Sequence, residues 1–197
     1  MQTQMDQICV FCGSNAGNNP VYISVARELG HLFASRGIGL VYGGGNVGLM
    51  GIIADAVLEA GGKVTGVIPE FLLAKEVGHT SLTEMIVVKT MHERKQRMAD
   101  LSQGFIAMPG GFGTLDELCE ILTWGQLGLH GFPIGLLNVN NYFQPLVQMF
   151  DHMVGEKFLH PQNRSMVLAH DQPQGLLTLM ESWQPPNVEK WMDRAKV

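Results

Sequence analysis

Apolar residues along this chain fall into two alternating patterns. Short, nearly continuous runs rich in Val, Ile and Phe are separated by longer stretches in which apolar positions recur at helical spacing. The runs predict strands at Gln7–Cys12, Gly39–Tyr42, Lys63–Ile68, Met85–Lys89, Phe105–Met108, Ile134–Val139 and Met166–Ala169. The stretches between them predict helices at Val21–Ser35, Val47–Ala60, His92–Ser102, Leu115–Leu127, Tyr142–Val154 and Gln174–Trp183. Strands that are apolar throughout and alternate with helices imply a parallel sheet covered on both sides. The predicted fold class is therefore α/β: a doubly wound, Rossmann-like parallel sheet with helices on both faces. Ligands of such sheets bind outside the carboxyl ends of the strands. Phe71–Leu82 is a connection of undefined structure. One nucleotide-binding domain is expected over 1–183, with 184–197, which contains Pro185-Pro186, as a tail or added helix.

Three predicted strands run directly into glycine-rich loops: Gly13-Ser14-Asn15-Ala16-Gly17, Gly43-Gly44-Gly45-Asn46-Val47-Gly48 and Gly110-Gly111-Phe112-Gly113-Thr114. In a parallel sheet all three lie on one edge. Glycine lets the backbone approach a ligand closely, and helix N-termini offer N–H groups to phosphate. Together the loops point to an anionic ligand. A dinucleotide oxidoreductase would show G-x-G-x-x-G after the first strand and an acid at the end of the second, and neither is present. A P-loop NTPase would show G-K-[ST], which is also missing.

Bulk properties narrow the field. At 197 residues the chain is long enough to bury a substantial core. Its net charge of −5 argues against a nucleic-acid partner. No apolar run is long enough to span a membrane. Met1–Gln7 is polar and lacks a secretory core, so the cytosol is the expected location. Cys9 and Cys12 form a C-x-x-C, but Cys9 sits inside a strand rather than at a helix N-terminus, so both are read as structural. The seven histidines are scattered with no H-E-x-x-H, and no metal site is expected.

Two charged residues stand out. On the helix from His92, the residues Met91, Arg94, Lys95, Met98 and Leu101 share one face. Arg94 is thus a cation on the inward side, open to a functional role or a structural ion pair. Arg97 lies opposite, placed to pair with Glu93 at i, i+4. Glu117 admits two readings. Thr114-Leu115-Asp116-Glu117 matches a capping box, with Thr114 as N-cap and Glu117 at N3. Yet Glu117 shares a face with Ile121 and Trp124, distinct from that of Leu115, Leu118 and Leu122. A helix with two apolar faces is expected to be covered on both, by a partner subunit on one.

At these residues the chain resembles the LONELY GUY (LOG) family of cytokinin riboside 5′-monophosphate phosphoribohydrolases, part of a wider group often labelled lysine decarboxylases. The resemblance covers roughly Ile8 to Leu159. It rests on Gly43-Gly44-Gly45-Asn46-Val47-Gly48-Leu49-Met50-Gly51, on Met91-His92-Glu93-Arg94-Lys95, and on P-G-G-x-G-T-x-x-E over Pro109–Glu117. Thr123-Trp124-Gly125-Gln126-Leu127-Gly128-Leu129-His130 adds to it. Asp116 stands where many members carry glutamate. The resemblance implies hydrolysis of the N-glycosidic bond of an N6-modified adenosine 5′-monophosphate, with no cofactor. It implies Arg94 and Glu117 as the catalytic pair and a homodimer with the site near the interface. Substrate contacts are expected from Ser14, Gly44, Gly45, Glu76, Lys95, Gly110, Gly111, Phe112, Gly113, Thr114, Leu115, Asp116 and Thr123. A non-catalytic nucleotide-binding or sensor protein on the same fold is the alternative.

Overall fold

The computed structural model describes residues 5–73 and 78–185. Glu76 and 186–197 of the predicted tail lie outside them. In chain order the elements are β1 (Gln7–Phe11), α1 (Pro20–Arg36), β2 (Gly39–Tyr42), α2 (Gly48–Glu59), β3 (Val64–Pro69), α3 (Glu70–Leu73), β4 (Glu84–Val88) and α4 (Met91–Asp100). They continue as β5 (Phe105–Ala107), α5 (Phe112–Gln126), β6 (Ile134–Leu137), α6 (Gln144–Gly155), α7 (Pro161–Arg164), β7 (Val167–His170) and α8 (Pro173–Ser182). A 3-10 turn, Val139–Asn141, follows β6. The predicted strands and helices are all present, most with ends moved by one or a few residues. The short α3 and α7 carry too few turns to show a period.

The strands form one seven-stranded sheet in the order β4-β3-β2-β1-β5-β6-β7. Each neighbouring pair is parallel. From β1 the chain builds outward to β4, then returns to lay β5 on the other side of β1. This reversal opens a crevice beyond the carboxyl ends of β1 and β5. The three glycine loops follow β1, β2 and β5, which are adjacent strands, so they do share one edge.

Side-chain alternation assigns the layers. Ile8 and Val10 pack with Phe33 of α1, Ile53 of α2 and Met180 of α8. Cys9 and Phe11 face the other way, toward Met98 of α4, Leu118 of α5 and Phe150 of α6. The start of α1 obeys local signals: the Asn19 side chain accepts from the Val21 N–H, and Pro20 opens the helix. Such a cap contributes about 1 kcal/mol. Gly37, at φ 70, ends it.

Helix α5 departs from the expectation. Gly111 is its N-cap, with extended backbone and no side-chain cap. Thr114 is therefore the third helical residue, and Glu117 lies nearly a full turn further in. The Thr114–Glu117 capping box does not form, because the glycine pair turns the chain before Thr114, which is buried against Gly110. A cap of that type forms instead at α4. There Thr90 Oγ1 accepts from the Glu93 N–H at 3.1 Å, and the Glu93 carboxylate accepts from the Lys89 N–H at 2.8 Å. The expected Arg97–Glu93 ion pair is not found among the described residues; the Glu93 carboxylate is turned toward the helix start. The two apolar faces expected of α5 are one broad face. Leu118 and Ile121 are both buried against the sheet, with Leu115, Leu122 and Trp124 half-buried at its margins.

Candidate functional site

Arg94 is 6% exposed, a cation inside the protein. Its Nε donates to Val67 O at 3.2 Å and its Nη2 to Gly43 O at 3.2 Å. Nη1 lies 3.9 Å from Met91 Sδ, a weak acceptor. These contacts use three of the five N–H groups a guanidinium carries. Two peptide carbonyls, one within β3 and one just past β2, thus aim the fork. Gly43 is what admits it: a Cβ there would overlap Nη2. The first glycine of the second loop is present to seat an arginine.

Helix α5 packs beside α4, and Lys95 joins them. Its Nζ lies 3.2 Å from Asp116 Oδ2 and 3.1 Å from Glu120 Oε1. Burial alone would lower the Lys95 pKa, but hydrogen bonds to Glu120 and then Asp116 hold it above the usual lysine value. Lys95 is thereby kept protonated as a clamp between the helices. The clamp brings Arg94, next to Lys95, near Glu117, next to Asp116. Cys9 registers both charges. Burial pushes its thiol pKa up most, Glu117 raises it further and Arg94 opposes. Cys12 is likewise raised by burial and then by Glu117. Both thiols are buried, unpaired and held protonated, as a structural role requires.

At the crevice the Gly13 N–H donates to Pro109 O at 3.0 Å, joining the first and third glycine loops. A cleft of about 210 Å³ opens beside them, lined by Gly13–Gly17, Gly110, Gly111, Tyr22 and Tyr142. Gly48, at φ 57, packs so closely on Ser14 and Asn15 that a Cβ would overlap their backbone. The second loop therefore braces the first. The initial N–H groups of α5 have no acceptor within the helix, and the helix dipole adds positive potential there. Cleft and helix start together offer free N–H groups and positive potential, the chemistry that suits an anion.

Residues 50–180 match the family described as "possible lysine decarboxylase". A probable cytokinin riboside 5′-monophosphate phosphoribohydrolase of Oryza sativa subsp. japonica is 50% identical over 90% of this chain and 79% of its own length. A cytokinin riboside 5′-monophosphate phosphoribohydrolase of Arabidopsis thaliana is 45% identical over 94% of this chain and 87% of its own. The chain belongs to the LOG family. Among solved structures, the molybdenum cofactor carrier protein of Chlamydomonas reinhardtii superposes with a TM-score of 0.67 at 22% identity, covering 87% of this chain and 93% of that one. The molybdenum cofactor binding protein of Rippkaea orientalis gives a TM-score of 0.64 at 23% identity, over 89% of this chain and 95% of the other. These two likenesses show the fold.

The LOG motifs map unevenly onto this geometry. Gly110, Gly111 and Ser14 line the cleft, with Ser14 exposed at its rim. Phe112 and Gly113 are exposed in the first turn of α5, and the Phe112 side chain is 93% exposed. Thr114 is buried beneath Gly110, and Leu115 is half-buried against the core. Asp116 is bound to Lys95. Gly44 and Gly45 are covered rather than open. The His79 N–H donates to Gly44 O, and Gly45 forms an antiparallel bridge with Gly78. Thr123 lies far down α5 and donates to Cys119 O at 2.7 Å. It lines a separate groove of about 160 Å³ with Phe150, Met153 and Leu159.

Two features had no motif to announce them. His79, 7% exposed, accepts from the Ser81 N–H at Nδ1 and donates from Nε2 to Asp55 Oδ1 at 2.9 Å, pinning its segment over Gly44 and Gly45. Tyr142 reaches Gly110 from the far side of the cleft. The signal for Tyr142 was positional: it follows β6, at the same carboxyl edge as the glycine loops.

Proposed function

We propose that this chain hydrolyses the N-glycosidic bond of adenosine 5′-monophosphate, plain or N6-substituted, releasing the free base and ribose 5-phosphate. The observation that carries this is a buried arginine and a half-buried glutamate on clamped neighbouring helices, beside an uncapped helix start. The relatives are named for this reaction on cytokinin riboside 5′-monophosphates. The α5 N-terminus and the first and third glycine loops hold the 5′-phosphate. As the C1′–N bond breaks, positive charge grows on the ribose, and the Glu117 carboxylate stabilises it and orients the water that attacks C1′. The two N–H groups of Arg94 not taken by Val67, Gly43 and Met91 face the sugar and the departing base. The base takes up a proton and C1′ gains the hydroxyl. A sensor would need the phosphate cradle but not the carboxylate, and Glu117 lies inside α5 rather than in its first turn.

Among the described residues no lysine suits a pyridoxal phosphate decarboxylase. A Schiff-base lysine must shed its proton. Lys95 is held protonated by two carboxylates, and Lys63, Lys89 and Lys157 are exposed on the surface. Purified protein supplied with AMP or isopentenyl-AMP, without metal or pyridoxal phosphate, is expected to release base measurable by chromatography. It should release no CO2 from lysine. Adenosine, lacking the phosphate, should show kcat/KM lower by at least about tenfold, the weight of a charge-assisted contact. Equal values for nucleoside and nucleotide would remove the phosphate role of the loops.

We further infer a cytosolic homodimer with the site near the subunit interface. Phe112 at the start of α5, Phe158 and Met149 are 93%, 88% and 48% exposed. Apolar side chains so exposed suit a partner surface. Among the described residues no helix is long and apolar enough to cross a membrane. Light scattering after gel filtration should give twice the chain mass; a monomer at micromolar concentration would refute the dimer.

A further inference from the structure

We propose that Tyr142 is the positioning residue of the glycine turn that receives the substrate's phosphate, an inference that rests on the nucleotide reading above. Its hydroxyl donates to Gly110 O at 2.5 Å. A trans peptide holds its carbonyl and the next N–H in one plane, pointing in opposite directions. Fixing Gly110 O on Tyr142 therefore fixes the direction of the Gly111 N–H, the first amide of the turn that opens α5. Gly110 and Gly111 have no side chains to hold that plane themselves.

The segment that presents Tyr142 is built for rigidity. Asn140 and Asn141 are both left-handed, at φ 52 and 57, a conformation asparagine adopts more readily than other residues with a side chain. It persists because both flanks are anchored. Val139 and Phe143 are each 2% exposed in the core. Asn138 Oδ1 accepts from the Phe143 N–H at 2.7 Å, and the Asn138 N–H donates to His170 O at 2.8 Å. The ring itself meets Tyr22 edge-on at 6.0 Å and Phe143 at 5.1 Å. A sharp turn anchored on both flanks beside the cleft, with a hydroxyl aimed at Gly110, points to placement of the glycine turn rather than to packing.

The test is Tyr142→Phe in the full chain, which keeps the ring and removes one hydroxyl. The KM for AMP and the dissociation constant for inorganic phosphate should each rise about tenfold, the effect of one hydrogen bond lost with its acceptor left unpaired. The kcat should stay within about twofold, adenosine turnover should not change, and the melting temperature should hold within a few degrees. Unchanged phosphate affinity would overturn the proposal. So would an equal loss on AMP and adenosine, which marks a general structural defect. Tyr142→Leu is the second variant. If it alone weakens phosphate binding, the ring and not the hydroxyl matters, and the proposal fails. Should the wild-type protein leave AMP intact, the reaction assigned above falls, while the phosphate titration still decides the role of Tyr142.

Discussion

Glu117→Gln is expected to lower kcat by about 100-fold or more with little change in fold or stability. The substitution keeps size and hydrogen-bonding reach and removes only the negative charge. If the carboxylate stabilises a cationic ribose, that charge is what the transition state needs, and losing such an electrostatic partner costs roughly 100- to 1,000-fold. The helix-capping alternative is weakened by geometry, because α5 starts at Phe112, with Gly111 at the N-cap position and no side-chain cap, so Glu117 lies well inside the helix. Removing the charge should also lessen the upward push on the Cys9 and Cys12 thiols. Both remain buried and protonated at neutral pH, so no new thiol reactivity should appear. Steady-state kinetics and thermal melting of the variant test this directly. A Glu117→Gln enzyme with wild-type kcat would take the carboxylate out of the chemistry.

The fold was legible because it rests on long, simple patterns. Seven apolar runs and the helices between them were visible, and parallel pairing followed from burial on both faces. Strand order was not legible. It places the loops after β1, β2 and β5 side by side, and only pairing across the sheet reveals that. The start of α5 was misjudged for a local reason. Two segments, Thr90–Glu93 and Thr114–Glu117, carry the same capping signature, and the sequence does not rank them. The glycine pair before Thr114 starts the helix early and leaves Thr114 inside, whereas nothing precedes Thr90 to do so.

The inward face of α4 marked Arg94 as a buried cation, because a cation at a buried helical position breaks the period, and it is one. What receives it was hidden. Val67 lies in β3 and Gly43 just after β2, and the glycine that seats the guanidinium looked like part of a phosphate loop. Lys95 and Asp116 were read as ligand contacts, and the structure pairs them with each other. That pairing depends on the register of α4 against α5, which a single sequence does not encode in any local pattern. Thr123 was drawn in by its motif, yet two further turns of helix carry it into a different groove.

Arg94→Lys is expected to lower kcat/KM by about 100-fold or more. Charge is retained, so a loss of this size isolates geometry. Two carbonyls, Val67 O and Gly43 O, each 3.2 Å from a guanidinium nitrogen, are spaced for a planar fork. An ammonium is a compact charge on a flexible stem and does not satisfy both while keeping donors aimed at a sugar or base. Gly43→Ala approaches the same point from the other side. Its added methyl would occupy the space of Arg94 Nη2, so the guanidinium must leave its seat although every charge is kept. Both variants should therefore lose activity together. Arg97→Lys, on the exposed face of α4, should stay near wild type. Folding is checked by circular dichroism, since an orphaned carbonyl costs about 1–3 kcal/mol and the comparison must be made on folded protein. If Gly43→Ala is inactive while Arg94→Lys is fully active, the seat matters but the fork does not, and a point charge at that position is enough. If both are active, the buried arginine is a structural tie between β2, β3 and α4, and the chemistry must rest on Glu117 and the α5 N-terminus alone.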